Sequence, residues 1–142
     1  MPIFGADEEP RVRELLETLE RPVELLVALG PEETPLAGAR DVDFGAETVR
    51  VAEELAALSA AVSCRVEDEP PGFDRYPAIA IRPSGEDAGL RYYGLPWGYE
   101  LGSLILGVAE AGKRDSTLRP ESVERLSALE QDLSIDVFVT PT

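Results

Sequence analysis

The chain has 142 residues, 44% hydrophobic and 29% charged, a size and composition suited to one domain with its own core. A formal net charge of -15 argues against a nucleic-acid partner and against an anionic membrane surface, since both require exposed Lys and Arg. No apolar run approaches the roughly 18 residues of a membrane span and Met1 to Pro10 is acidic, unlike a signal peptide, so the expected compartment is the cytoplasm.

From Asp7 to Glu20, Val12, Leu15, Leu16 and Leu19 recur at helical spacing and predict an amphipathic helix, broken by Arg21-Pro22. Val23 to Leu29 is a short apolar run of strand length that stops at Gly30-Pro31. Pro31 to Phe44 has no steady period and predicts a loop, whereas Gly45 to Ala61 returns to helix with Val49, Ala52, Leu55, Ala56 and Leu58 as its stripe. Val62 to Val66 alternates as a strand with one wet face, and Glu67 to Gly72 follows as an acidic turn. Pro77 to Ile81 and Leu90 to Tyr93 are two strands joined by a turn-rich connection, the pattern of an antiparallel hairpin.

The helix from Trp97 or Gly98 to Gly112 carries Leu101, Leu104, Ile105 and Val108; Gly98 and Gly102, four apart, would let that face approach another backbone, but they read first as glycines tolerated in a helix packed on a sheet. A further helix starts at Pro120 and presents Val123, Leu126 and Leu129, and Leu133 to Thr140, alternating for its first half and bounded by Pro141, reads as a final strand. Up to Gly112 the order is a βαβ half followed by a ββα half. Packed as one mixed four-stranded sheet with helices on both faces, this is an α/β, thioredoxin-like fold with an extra C-terminal helix and strand.

Three segments carry a family resemblance. Arg75-Tyr76-Pro77-Ala78-Ile79-Ala80-Ile81 resembles the segment entering the third strand of the tandem thioredoxin-fold proteins called protein disulfide oxidoreductases, or glutaredoxin-like redoxins. The related N-terminal part of the alkyl hydroperoxide reductase flavoprotein subunit shares this tandem arrangement. In that family the proline is cis, a role the resemblance gives to Pro77. Leu90-Arg91-Tyr92-Tyr93-Gly94-Leu95-Pro96-Trp97-Gly98-Tyr99-Glu100 resembles the family's Arg-Tyr-x-Gly-Leu-Pro-x-Gly-His-Glu stretch, with Tyr99 in place of the His. Ile135 to Thr142 resembles the first strand of the second unit, which in the family runs into Cys-Pro-Tyr-Cys. The resemblance thus implies a thioredoxin-like unit over residues 1–114 that lacks Cys-x-x-Cys, then over 115–142 a linker helix and the first strand of a truncated second unit.

The chemistry available is narrow. Histidine is absent and Cys64 is the single cysteine, which removes the commonest general base near neutral pH, any internal disulfide and any multi-cysteine metal site. Dithiol exchange needs a nucleophilic and a resolving thiol, and the loop Gly30 to Gly38 holds no sulfur. Cys64, in an alternating strand, reads as a semi-buried core residue. Neither Glu67-Asp68-Glu69 nor Glu32-Glu33 has the spacing of a calcium loop, so both read as solvated turns, and no catalytic residue, cofactor or metal is expected. Twelve Arg against one Lys (Lys113), with no Asn, suit a GC-rich, heat-adapted source.

Tyr92, Tyr93, Trp97 and Tyr99 gather four of the chain's nine aromatic residues in eight positions, a pattern open to core packing and to a contact surface alike. The expected site is therefore a cis-proline and contact loop made of Tyr76, Pro77, Gly94, Leu95, Pro96, Trp97 and Tyr99. Three functional readings stand together. The chain is a redox-inactive module that packs against a second thioredoxin-like unit or another protein; it is a fragment of a thiol-disulfide oxidoreductase whose Cys-x-x-Cys follows Thr142; or it is a stand-alone interaction protein, dimeric through its C-terminal strand.

Overall fold

The structure is a computed structural model that describes residues 2–31 and 42–139. Helix α1 spans Glu9–Leu16, with Pro10 in its first turn, where a missing N–H costs nothing. Strand β1 follows at Val23–Leu29. Helix α2, Phe44–Ala57, begins where Asp43 accepts a hydrogen bond from the Ala46 N–H at 2.9 Å, relieving one of the unpaired donors of a helix start. Strands β2 (Val62–Asp68), β3 (Ala78–Pro83) and β4 (Leu90–Tyr93) come next, then helices α3 (Tyr99–Ala111) and α4 (Pro120–Ser127). No helix among the described residues is long and apolar enough to cross a membrane.

The sheet order is β2-β1-β3-β4, with β1 parallel to β2 and the other pairs antiparallel. Pairing fixes the faces, because residues alternate along a strand. Val23, Leu25 and Val27 of β1, Val62 of β2 and Ile79 and Ile81 of β3 point to one side and form a single core with Val12 and Leu16 of α1, Val51, Ala52 and Leu55 of α2, and Leu104, Val108 and Ala111 of α3. Burying each large aliphatic side chain contributes about 1.5–3 kcal/mol before the entropy of ordering is counted.

The two-sided helical cover expected from the element order does not form among the described residues. All three core helices lie on the same face, and the nine residues between β2 and β3, 69–77, hold no helix. Pro70 and Pro71 sit in that short connection, and it lines the opposite face together with Leu26 and Ala80. β2 runs two residues further than its alternation suggests, to Asp68, so the acidic turn begins at Glu69, whose φ is 44°. α1 and α2 are shorter than their patterns, ending at Leu16 and Ala57.

The C-terminal region differs most from its sequence pattern. α4 has no buried residue, and Leu126 and Leu129 are half exposed. Residues 132–139 form no strand, although Leu133, Ile135 and Val137 alternate as one would. A strand needs a neighbour to pair its backbone N–H and C=O groups, and the segment has none here. Ile135, Val137 and Phe138 are each at least 80% exposed.

Close approach on α3 occurs at Gly107, whereas Gly102 is simply tolerated in the helix. A Cβ at Gly107 would lie 2.9 Å from Ile81 Cδ1 and 3.2 Å from Tyr92 Oη, whereas one at Gly102 would meet nothing within 4 Å. Gly102→Ala should therefore raise stability by about 0.5–1 kcal/mol through helix propensity alone. Gly107→Ala should fall below it by more than about 1 kcal/mol, as the added methyl overpacks the α3–sheet contact. Urea unfolding of the two variants measures the gap; equal midpoints would contradict this packing.

Candidate functional site

β1 ends at Leu29, and the next residue, Gly30, lies directly under the ring of Tyr76. A Cβ there would fall 2.6 Å from Tyr76 Cγ, so glycine is what lets the ring sit on the backbone. The Tyr76–Pro77 peptide is cis, and Pro77 is buried. Next along the chain, Ala78 pairs with Ala28 on one side and Tyr93 on the other, which carries the proline to the end of β1.

The Gly94-Leu95-Pro96 stretch is tied to the same point. The Gly94 N–H donates to the Pro77 carbonyl at 2.8 Å, and Gly94 has a φ of 88°, a region that side-chain-bearing residues avoid. Leu95 packs on the core and Pro96 is fully buried, so this loop is fixed from below. Gly98, with a φ of 61°, turns the chain into α3. Trp97 and Tyr99 on either side of it point outward, 46% and 89% exposed. Burial raises the Glu100 carboxyl above its ordinary range, partly offset by a hydrogen bond with the Trp97 backbone. Tyr92 belongs to the core side instead, its hydroxyl 3.1 Å from the Ser103 carbonyl oxygen.

The pairing thus gathers Tyr76, Pro77, Gly94, Leu95, Pro96 and Trp97 into one fixed loop pair, with Tyr99 at the rim. Cys64 is elsewhere. It pairs with Leu25, two strands and four residue rises from Pro77, roughly 15 Å by strand geometry. It packs against the core, and its thiol is pushed up to about 11, first by burial and then by the nearby carboxylates of Glu53 and Glu24. A thiol so placed is protonated at neutral pH and is a poor nucleophile. No group of three or more His, Cys, Asp or Glu residues able to hold a metal occurs among the described residues. The Gly30 to Gly38 loop lies, beyond Pro31, outside the described residues, as do Glu32 and Glu33.

Two features escaped the sequence pattern. The Gly30–Tyr76 contact joins residues 46 positions apart that no local motif connects. Arg65, Arg82 and Arg91, on three different strands, meet over one cleft of the helix-free face. The available signal was weak: Arg65 and Arg91 lie in separate strands, and Arg82 follows the predicted strand Pro77 to Ile81, at the start of its turn-rich connection.

Strand order, the parallel and antiparallel pairs and the helices that pack on them define a thioredoxin-like α/β fold. The chain is similar to the alkyl hydroperoxide reductase AhpF of Staphylococcus epidermidis, 24% identical over 140 residues and 99% of this chain. It spans a quarter of that protein's length, 25%. Among solved structures, the NTD_N/C domain of Enterococcus faecalis alkyl hydroperoxide reductase AhpF superposes with a TM-score of 0.75 at 19% identity, covering 90% of this chain and 62% of that one. A protein disulfide oxidoreductase from Aeropyrum pernix gives 0.68 at 20% identity, covering 88% and 55%. These are the relatives that the three sequence segments imply. No family model matches the chain.

Two outcomes test this geometry. Alkylation of Cys64 by iodoacetamide should be slow at pH 7.5 and climb with a midpoint near 11. The sign follows from linkage: the raised folded value costs stability as pH rises from 9.0 towards 11, because only the unfolded thiol ionises there. A midpoint at or below the ordinary thiol value would contradict the burial described. Separately, Gly30→Ala should cost about 1–3 kcal/mol, and Tyr76→Ala in the same chain should recover part of that loss in a double-mutant cycle. Additive effects would mean that the ring does not rest on Gly30.

Proposed function

We propose that the chain is a redox-inactive thioredoxin-like unit that binds a second thioredoxin-like unit, or a protein served by it, through the Pro77–Tyr99 loop pair. The observation that carries this reading is the contrast between the two halves of the expected machinery. The loop pair is tied by the Gly94–Pro77 hydrogen bond and exposes Trp97 and Tyr99 to solvent, while the lone thiol is half-buried, protonated at neutral pH and remote. Aromatic side chains that are exposed yet anchored from below lose little entropy on docking, which suits them to an interface.

In this reading residues 1–114 are the unit, and 115–142 are a linker and the opening strand of the next unit. Relatives four times as long, named as reductase subunits, support a setting in a larger protein, which we place in the cytoplasm. Any thiol chemistry then resides in the partner unit. A second reading draws on residues 133–139, whose apolar side chains stand in water without a partner. There the segment pairs with a sheet edge when one is offered, either in a catalytic second unit or in another copy of this chain.

Thiol exchange with insulin and dithiothreitol discriminates these functions. The 142-residue chain should show no turnover above buffer, and Cys64→Ser should behave identically. Turnover that disappears in Cys64→Ser would sink the redox-inactive reading.

A further inference from the structure

The sheet has two outer strands, β2 and β4, and among the described residues neither is paired on its outer side. β4 offers four residues between two glycines of positive φ, Gly89 at 73° and Gly94 at 88°, which turn the chain out of strand geometry. β2 offers seven, Val62–Asp68, with no such break inside. An open edge of that length is a template for a further strand. Cys64 and Val66 lie opposite Leu25 and Val27, on the helix side of the sheet, and Val66 is still 41% exposed there.

The same chain holds an unpaired segment of equal length. Residues 133–139 are all exposed, and in extended form they put Leu133, Ile135, Val137 and Val139 on one side and Ser134, Asp136 and Phe138 on the other. Laid flush, seven residues on seven, the two strands match centre to centre, so Asp136 falls beside Arg65 in either direction of the segment. Ile135 and Val137 then fall beside Cys64 and Val66, where they extend the core. A slip of one residue would turn these apolar side chains to the wet side, and a slip of two toward Glu67 would set like charges together. Arg65 keeps its bonds to Glu24 and Glu67, so the apolar pair and the avoidance of Glu67 select the register, with no new ion pair required. Within one chain the edge and the segment do not meet: β2 pairs with β1 alone, and Ile135 and Val137 are 83% and 80% exposed.

We propose that residues 133–139 of one copy of this chain add as a strand to the β2 edge of a second copy, which returns its own segment to the first. Another copy is the partner that carries both halves, an edge and a segment of seven residues each. Reciprocal addition closes with two-fold symmetry and leaves neither the seven-residue edges nor the segments unpaired. Backbone hydrogen bonds supply the attachment, and the alternate apolar side chains supply the register. The proposal rests on the second reading above and names its edge and its occupant.

The test combines sedimentation velocity of the 142-residue chain with cross-linking between Cys64 and new cysteines in the exposed segment, where substitution leaves the fold intact. The chain should sediment as a dimer, and Val137→Lys should return it to a monomer at the same concentration. On oxidation with diamide, Ile135→Cys should give a covalent dimer if the added strand runs parallel to β2, and Val137→Cys if it runs antiparallel. Phe138→Cys, on the other side of the strand, should give none, and the positive variant should lose its cross-link once Cys64→Ser is added. A monomeric chain, or a disulfide formed within one chain, overturns the proposal. A dimer lost in Val137→Lys that gives no Cys64 cross-link in either variant overturns the β2 edge and leaves the second reading standing. A dimer indifferent to Val137→Lys overturns the homodimer of that reading as well.

Discussion

Everything in this molecule is referred to β1. Val23–Leu29 is paired along its length on both sides, in parallel to β2 and antiparallel to β3, so its backbone groups are satisfied by two neighbours at once. Its odd residues, Val23, Leu25 and Val27, make the floor on which the three core helices pack. The even ones, Glu24, Leu26 and Ala28, make the helix-free face. Its end delivers Gly30 beneath Tyr76, which is where the loop pair begins. A register slip of one residue would exchange the two faces, taking core and loops apart together.

The short connection between β2 and β3 explains why the two faces differ. Nine residues with Pro70 and Pro71 leave no room for a helix of useful length, so one side of the sheet is covered by a turn and by long charged side chains. Arg65, Arg82 and Arg91 lay their alkyl stems over that surface while their charges are matched by Glu24, Glu67 and Asp87. Partly exposed pairs of this kind add little stability individually. Their consequence is positional, since they fix the three guanidinium groups and their partner carboxylates around one small cleft.

Much of the fold is legible in the sequence, and the reason differs by element. Val23–Leu29 and Leu90–Tyr93 can be bounded to the residue because Arg21-Pro22, Gly30-Pro31, Gly89 and Gly94 punctuate them. The Gly94-Leu95-Pro96 stretch is contiguous, so its motif is visible locally. Its hydrogen bond to Pro77 is not, because it depends on the β3–β4 pairing. Periodicity shows that α1, α2 and α3 each have an apolar side but not which face of the sheet that side meets, and hence the one-sided cover could not be read. Residues 133–139 show the converse. Their alternation records a capacity to form a strand, and that capacity is realised only with a neighbour.

The central claim is that this chain supplies a binding face and not a thiol. Trp97 is the single tryptophan, nearly half exposed on that face, so its fluorescence reports the loop pair alone. The most direct measurement is iodide quenching of Trp97 while a dithiol-bearing thioredoxin-like unit, both cysteines changed to serine, is added. The account predicts a blue-shifted emission and reduced quenching that saturate with the added unit and are unchanged by Cys64→Ser. A Trp97 that stays fully open at saturating partner, with association abolished by Cys64→Ser, would contradict it.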